Sequence, residues 1–298
     1  MTENPCDAIG TQIHQRITDL IASASLEVIP LEGAREKVRA APTGSTVTIT
    51  CSPKFGLERT LEYATTTVAD GYRVVPHLAA RMVRDEQSLR RFVSRVVDLG
   101  VNDLYVIGGD ADEPLGKFSS AAEILDALSG FAHGLERIGV GCYPEGHPKI
   151  PDTDLLEALL DKQVHADYMV SQLCFDSAAL MDWIEQIRVA GVLLPLRIGL
   201  AAPIKTTKLA ELSLRIGVGQ SIRYLTKQHG MVGSLLLGRS YAPQDLLLDM
   251  GERLLAEEFD IEGLHMFTFN QVEVTVAWQR QLTGLASSPT PEWPERSA

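Results

Sequence analysis

Eight times along this chain a short apolar run ends on a polar residue, a proline or a glycine, and a helical stretch separates it from the next run. That recurrence limits the fold more than any single motif does. The runs fall at residues 26–30, 46–50, 73–75, 104–107, 139–142, 168–171, 194–200 and 264–267. Helical periodicity fills the intervals, at 11–22, 33–40, 57–69, 86–99, 120–138, 155–164, 178–190, 208–216, 221–229, 243–258 and 271–281. Strands that alternate with helices of about 10 to 15 residues join by right-handed crossovers into a parallel sheet, and eight such units close on themselves. The expected fold is α/β, a single (β/α)8 TIM barrel over residues 1–286 with one extra helix at the N-terminus. Residues 287–298 hold three prolines and little apolar surface, so they read as a short disordered tail.

Composition removes several classes of partner. A formal net charge of −12 and a pI near 5.1 argue against nucleic acid or an anionic membrane surface, so an acidic substrate needs a local basic patch. No apolar run approaches the roughly 20 residues of a membrane span, and the N-terminus lacks a basic and an apolar signal region. The expected compartment is the cytoplasm. Cys6, Cys51, Cys142 and Cys174 show no C-x-x-C spacing and read as reduced core thiols.

In a barrel of parallel strands, chemistry sits where the strands exit. The exits here carry Glu27, Thr50, His77, Asp110, Gln172, Lys205 and Asn270, together with the densest polar cluster of the chain, Tyr143-Pro144-Glu145-Gly146-His147-Pro148. Any one of these could cap a helix or satisfy a turn, but the repetition implies a concave polar mouth. Glu27 stands out because Leu26, Val28 and Ile29 flank it, a setting that partly excludes water and suits a general acid. The alternative for Glu27 is a carboxylate paired with an arginine. Lys205 raises a Schiff-base lyase as a competing chemistry, although Lys205-Thr206-Thr207-Lys208 also fits a solvated helix start. No phosphate-binding glycine fingerprint is present, and His77 and His147 lie on different strands without an evident third ligand, so no metal is expected.

Several of these stretches, in order along most of the chain, resemble the methylenetetrahydrofolate reductases: Leu26-Glu27-Val28-Ile29-Pro30, Val75-Pro76-His77-Leu78, Gly109-Asp110, Tyr143 to Pro148, Asp154-Leu155-Leu156, Ser171 to Asp176 and Phe267-Thr268-Phe269-Asn270. The resemblance implies a barrel enzyme that reduces 5,10-methylenetetrahydrofolate to 5-methyltetrahydrofolate. It implies Glu27 as the acid that opens the methylene bridge, Asp110 as the carboxylate beside the pterin, and Gln172, Tyr143 and Asn270 as folate contacts. Thr50, His77, His147 and Asp154 match positions that line the FAD site in flavin-containing members.

The chain departs from that pattern where a flavin would be held. Gly108 stands where an arginine usually precedes Gly-Asp, Ser120 where a tyrosine opens the next helix, Asp161 where a lysine follows Asp154, and Gln271 where an arginine often follows the asparagine. Lys162 is one position out and so turned about 100° around a helix. The departures point to an atypical, flavin-independent member in which NADH is the hydride donor and FAD is absent. Two other readings compete with it: an ordinary FAD enzyme, and an inert barrel that binds folate or NADH. The expected partners are the folate and the nicotinamide nucleotide, with no nucleic acid and no membrane, in a monomer or homodimer. Lys205, Lys208 and Arg223 are candidates to hold the anionic folate tail.

Overall fold

The computed structural model describes residues 5–205 and 241–284. Eight parallel strands close into a barrel in chain order: β1 (Ser25–Val28), β2 (Thr46–Ile49), β3 (Arg73–Ala79), β4 (Asp103–Ile107), β5 (Arg137–Cys142), β6 (Tyr168–Ser171), β7 (Leu196–Ala201) and β8 (Ile261–Phe267). The ring is sealed by β8 against β1, in the register Ser25–His265, Leu26–Met266 and Glu27–Phe267. Helices α2 (Ala34–Val38), α3 (Gly56–Ala69), α4 (Glu86–Asp98), α5 (Ala121–Ser129), α6 (Asp152–Lys162) and α7 (Ser177–Val189) lie between successive strands up to β7. Helix α8 (Gln244–Met250) precedes β8, and α9 (Val272–Thr283) follows it. The extra N-terminal helix is α1 (Pro5–Ser23), which packs against α9 and β8 and is tied down by Gln279 Nε2 donating to Ile21 O at 2.8 Å.

The period-two alternation of the strands divides the molecule into a shell and an interior. Leu26, Val47, Ile49, Leu78, Leu104, Val106, Val140, Met169, Ile198, Leu200, Leu264 and Met266 are fully buried in one cluster with the helices. The alternate positions turn inward, where Val75, Tyr105, Tyr168 and Val170 form a separate cluster. Burying each large aliphatic side chain of the shell contributes about 1.5–3 kcal/mol. Glycine makes room inside: a Cβ at Gly139 would stand 2.3 Å from the ring of Tyr168, which fills that space.

Three local expectations change. β3 does not stop at Pro76; it pairs with β4 through His77, Leu78 and Ala79, because one missing N–H removes one ladder bond and leaves the flanking ones intact. The helix expected at 120–138 ends at Ser129, with Gly130 as its cap and Gly134 at φ +72 turning the chain towards β5. The helix expected at 243–258 is α8 followed by two 3-10 turns, Gly251–Leu255 and Glu257–Phe259. The helices expected at 208–216 and 221–229, the tail at 287–298, and Lys208 and Arg223 lie outside the described residues. Among the described residues no helix is long and apolar enough to cross a membrane. Cys51, Cys142 and Cys174 are free and buried, and burial pushes the Cys142 thiol up to about 12.

Candidate active site

Glu27 lies on β1 with an inward register, and its side chain is 13% exposed. Among the described residues no arginine pairs with it. Its Oε2 lies 3.1 Å from Nε2 of His265 on β8 and 3.8 Å from Nε2 of His77 on β3. The backbone around it is gripped from the β8 exit on both sides: Thr268 Oγ1 donates to Glu27 O, while Asn270 Nδ2 donates to Ile29 O at 2.9 Å and Asn270 Oδ1 accepts from Ile29 N at 2.8 Å. Asn270 takes a left-handed backbone, φ +61, one of the few conformations in which asparagine is favoured among residues with a Cβ. The strand seam therefore fixes the height of the carboxylate in the barrel.

The walls around Glu27 are polar and partly unsatisfied. Thr48 on β2 is directly across from Glu27 in register, and its Oγ1 has no hydrogen-bond partner among the described residues. Thr50 Oγ1, Ser52 Oγ and His77 Nε2 are likewise buried, with no hydrogen-bond partner among the described residues. Buried polar atoms ordinarily find partners, so a run of orphans on β2, the loop after it and β3 marks a wall built to meet a ligand or ordered water. The imidazole of His77 meets the Tyr105 ring edge-on at 4.7 Å. Burial pushes the His77 pKa down to about 4, against the attraction of Glu27, so the ring is neutral at ordinary pH.

The other exits supply the rest of the mouth. Tyr143 and His147 pack edge-on at 5.2 Å, and the charge of Asp110 acts on both. Burial raises the Tyr143 phenol, with Asp110 adding to the effect, and burial lowers His147. Asp110 itself is exposed after β4. Gln172 is half-buried after β6, with Oε1 accepting from Leu173 N at 2.9 Å. Glu145 is a fastener: its Oε1 accepts from the N–H groups of Phe175 and Asp176 and holds the start of α7. Asp154 is exposed in the first turn of α6, where it accepts from Thr153 Oγ1 at 3.0 Å. Lys205 is exposed.

The structure thus brings Glu27, Thr50 and His77 to one side of the mouth and Asp110, Tyr143 and His147 to another. His265, Tyr105 and Thr48 were missed among the site residues. Each lay between shell residues of its strand, Leu264 and Met266 for His265, and that alternation is the signal that could have turned it inward.

The floor carries ion pairs between side chains. At the opposite end of the barrel a cavity of about 470 Å3 is lined by Arg73, Asp103, Arg137, Arg197 and Glu262 among others. Arg137 and Arg197 both pair with Glu262, at 2.8 and 3.1 Å, and Tyr168 donates to Asp103 at 2.8 Å. That end carries stability in a barrel of this kind, and Glu27 opens to the other.

A family model described as methylenetetrahydrofolate reductase matches residues 31–283. The chain belongs to the methylenetetrahydrofolate reductase family. A curated relative, methylenetetrahydrofolate reductase 2 of Saccharomyces cerevisiae, is 24% identical over 165 residues, covering 52% of this chain and 26% of that protein. The chain thus spans about a quarter of the length of that relative. Among solved structures, oxaloacetate acetylhydrolase in complex with the inhibitor 3,3-difluorooxalacetate aligns at TM-score 0.50 and 9% identity, over 96% of this chain and 90% of that one. This likeness shows the fold alone.

Proposed function

We propose that this member of the family reduces 5,10-methylenetetrahydrofolate to 5-methyltetrahydrofolate with NADH as direct hydride donor. The observation that carries the proposal is the position of Glu27: a carboxyl group held between β8 and β3 at the open end of the barrel, where a pterin can reach it. Glu27 gives a proton to the folate amine as the methylene bridge opens, leaving a cationic iminium. Asp110 lies at the same mouth and offers negative charge to that cation. Hydride from the nicotinamide then reaches the exocyclic carbon, so one proton and one hydride are consumed and NAD+ leaves. Holding both reactants over the barrel supplies much of the rate, because a bimolecular step becomes an oriented one. In this proposal Gln172 and Tyr143 contact the folate, while Thr50, His77, His147 and Asp154 border the nucleotide. Asn270, whose amide is engaged by Ile29, positions β1.

The described residues fit an FAD pyrophosphate poorly. Gly108 offers no side chain, and Ser120 Oγ caps α5 by accepting from Glu123 N. Lys162 Nζ donates to Gly141 O at 2.7 Å, so its ammonium is engaged inside the fold, while Asp161 is exposed beside it. Arg81 enters the loop after β4, but its guanidinium is engaged by the carbonyls of Ala111, Asp112 and Ser119. With Lys162 and Arg81 both engaged by backbone carbonyls and the Asp161 carboxylate beside Lys162, these elements favour the direct route. The proposal is tested by following NADH oxidation by flavin-free protein with methylenetetrahydrofolate. Turnover supports it, and turnover that appears only after FAD is added overturns the direct route.

A further inference from the structure

Glu27, His77 and His265 each offer one donor atom, and the three atoms lie within 4.8 Å of one another. Bonds of about 2.0–2.1 Å in a tetrahedral Zn2+ site put its ligand atoms about 3.4 Å apart. The two carboxylate-to-imidazole distances, 3.1 and 3.8 Å, stand on either side of that spacing. The donors come from β1, β8 and β3, so the barrel ladder sets their backbone positions.

Two further observations point to a ligand rather than to a satisfied polar cluster. Among the described residues Nε2 of His77 is buried without a hydrogen-bond partner, and the His77 side chain is only 4% exposed. On His265 the other ring nitrogen, Nδ1, lies 3.3 Å from Ser25 Oγ. Metal-bound imidazoles are commonly held this way, with the second nitrogen engaged so that the first presents its lone pair.

We propose that Glu27, His77 and His265 form a site for a first-row divalent cation of the zinc type, with the fourth coordination position open to the mouth of the barrel. Two imidazoles and one carboxylate suit such an ion. Binding needs the carboxylate deprotonated, so metal and proton compete for Glu27, and the metal-bound form cannot donate a proton. The binding itself stands on the geometry of the three side chains. Only the inhibition rests on Glu27 being the proton donor of the reductase.

The test uses the full chain without an affinity tag, stripped with a chelator and titrated with Zn2+ by calorimetry. One ion per chain is expected, with affinity falling at least tenfold in both His77→Gln and His265→Gln. Because a buried substitution can unfold the barrel, zinc-edge X-ray absorption on the wild-type protein is the second measurement, expected to show two imidazole nitrogens. Failure to bind stoichiometrically, undiminished binding by both folded variants, or an edge without two imidazoles overturns the site. In the NADH-oxidation assay, half-inhibition is expected near the dissociation constant, with recovery on adding chelator. Full turnover at saturating Zn2+ overturns the competition. A metal-free protein that never turns over speaks against the reductase, while the titration still decides the site.

Discussion

Nε2 of His265 stands 3.1 Å from Oε2 of Glu27 across the seam that closes the barrel. The carboxyl group is thus oriented by an imidazole from the last strand, and that imidazole is in turn braced by Ser25 from the first. The proposed general acid, the imidazole beside it and the closure of the sheet are one structural unit.

Replacing Glu27 by Gln keeps the size of the side chain and a hydrogen bond to His265 but removes the transferable proton. Turnover is expected to fall about 10²–10⁴-fold, the usual contribution of a positioned acid. Folate affinity, measured by titration, is expected to stay within a few fold.

Asn270→Ala removes both bonds to Ile29 and places a less tolerant residue at φ +61. Two buried hydrogen bonds and the left-handed backbone together are worth about 2–4 kcal/mol, read as a lower denaturant midpoint. Because the clamp sets the height of Glu27, turnover of the folded fraction should also fall.

His77 makes the fold sensitive to acid. Its pKa is about 4 in the folded chain and near the ordinary 6.5 when unfolded, so the unfolded chain binds more protons between those values. The stabilisation from burying the neutral ring is complete above about pH 6.5 and is lost as pH falls towards 4, by at most about 3 kcal/mol. Unfolding curves across that window should show this slope in the wild type and a shallower one in His77→Gln.

Gly139→Ala drives a Cβ into the Tyr168 ring, 2.3 Å away. The ring cannot retreat easily, because Tyr168 donates to Asp103 and Arg197 lies over its face at 3.7 Å. Overpacking of this kind costs about 1–3 kcal/mol, measurable as a lower melting temperature.

The barrel was legible because its signal is periodic. Each strand pairs a shell-facing apolar set with an interior set, and eight repeats leave one closed architecture. Glu27 was legible for the same reason, as an acid inside an apolar run. His265 was not, because its company is a strand 238 positions away, and only closure of the ring brings the two together. His77 showed as a strand end and proved to lie within β3, since one proline removes too little pairing to stop a strand. Glu145, in the densest polar stretch of the sequence, holds a helix start; the identity of a carboxylate does not reveal whether a backbone N–H or a ligand will meet it.

The most direct measurement is one cuvette of freshly purified protein, scanned for a flavin band and then given NADH and methylenetetrahydrofolate with nothing else added. No flavin band, together with NADH oxidation that depends on the folate and is lost in Glu27→Gln, is the predicted result. A stoichiometric flavin band, or NADH oxidation that survives in Glu27→Gln, would contradict direct reduction with Glu27 as the proton donor.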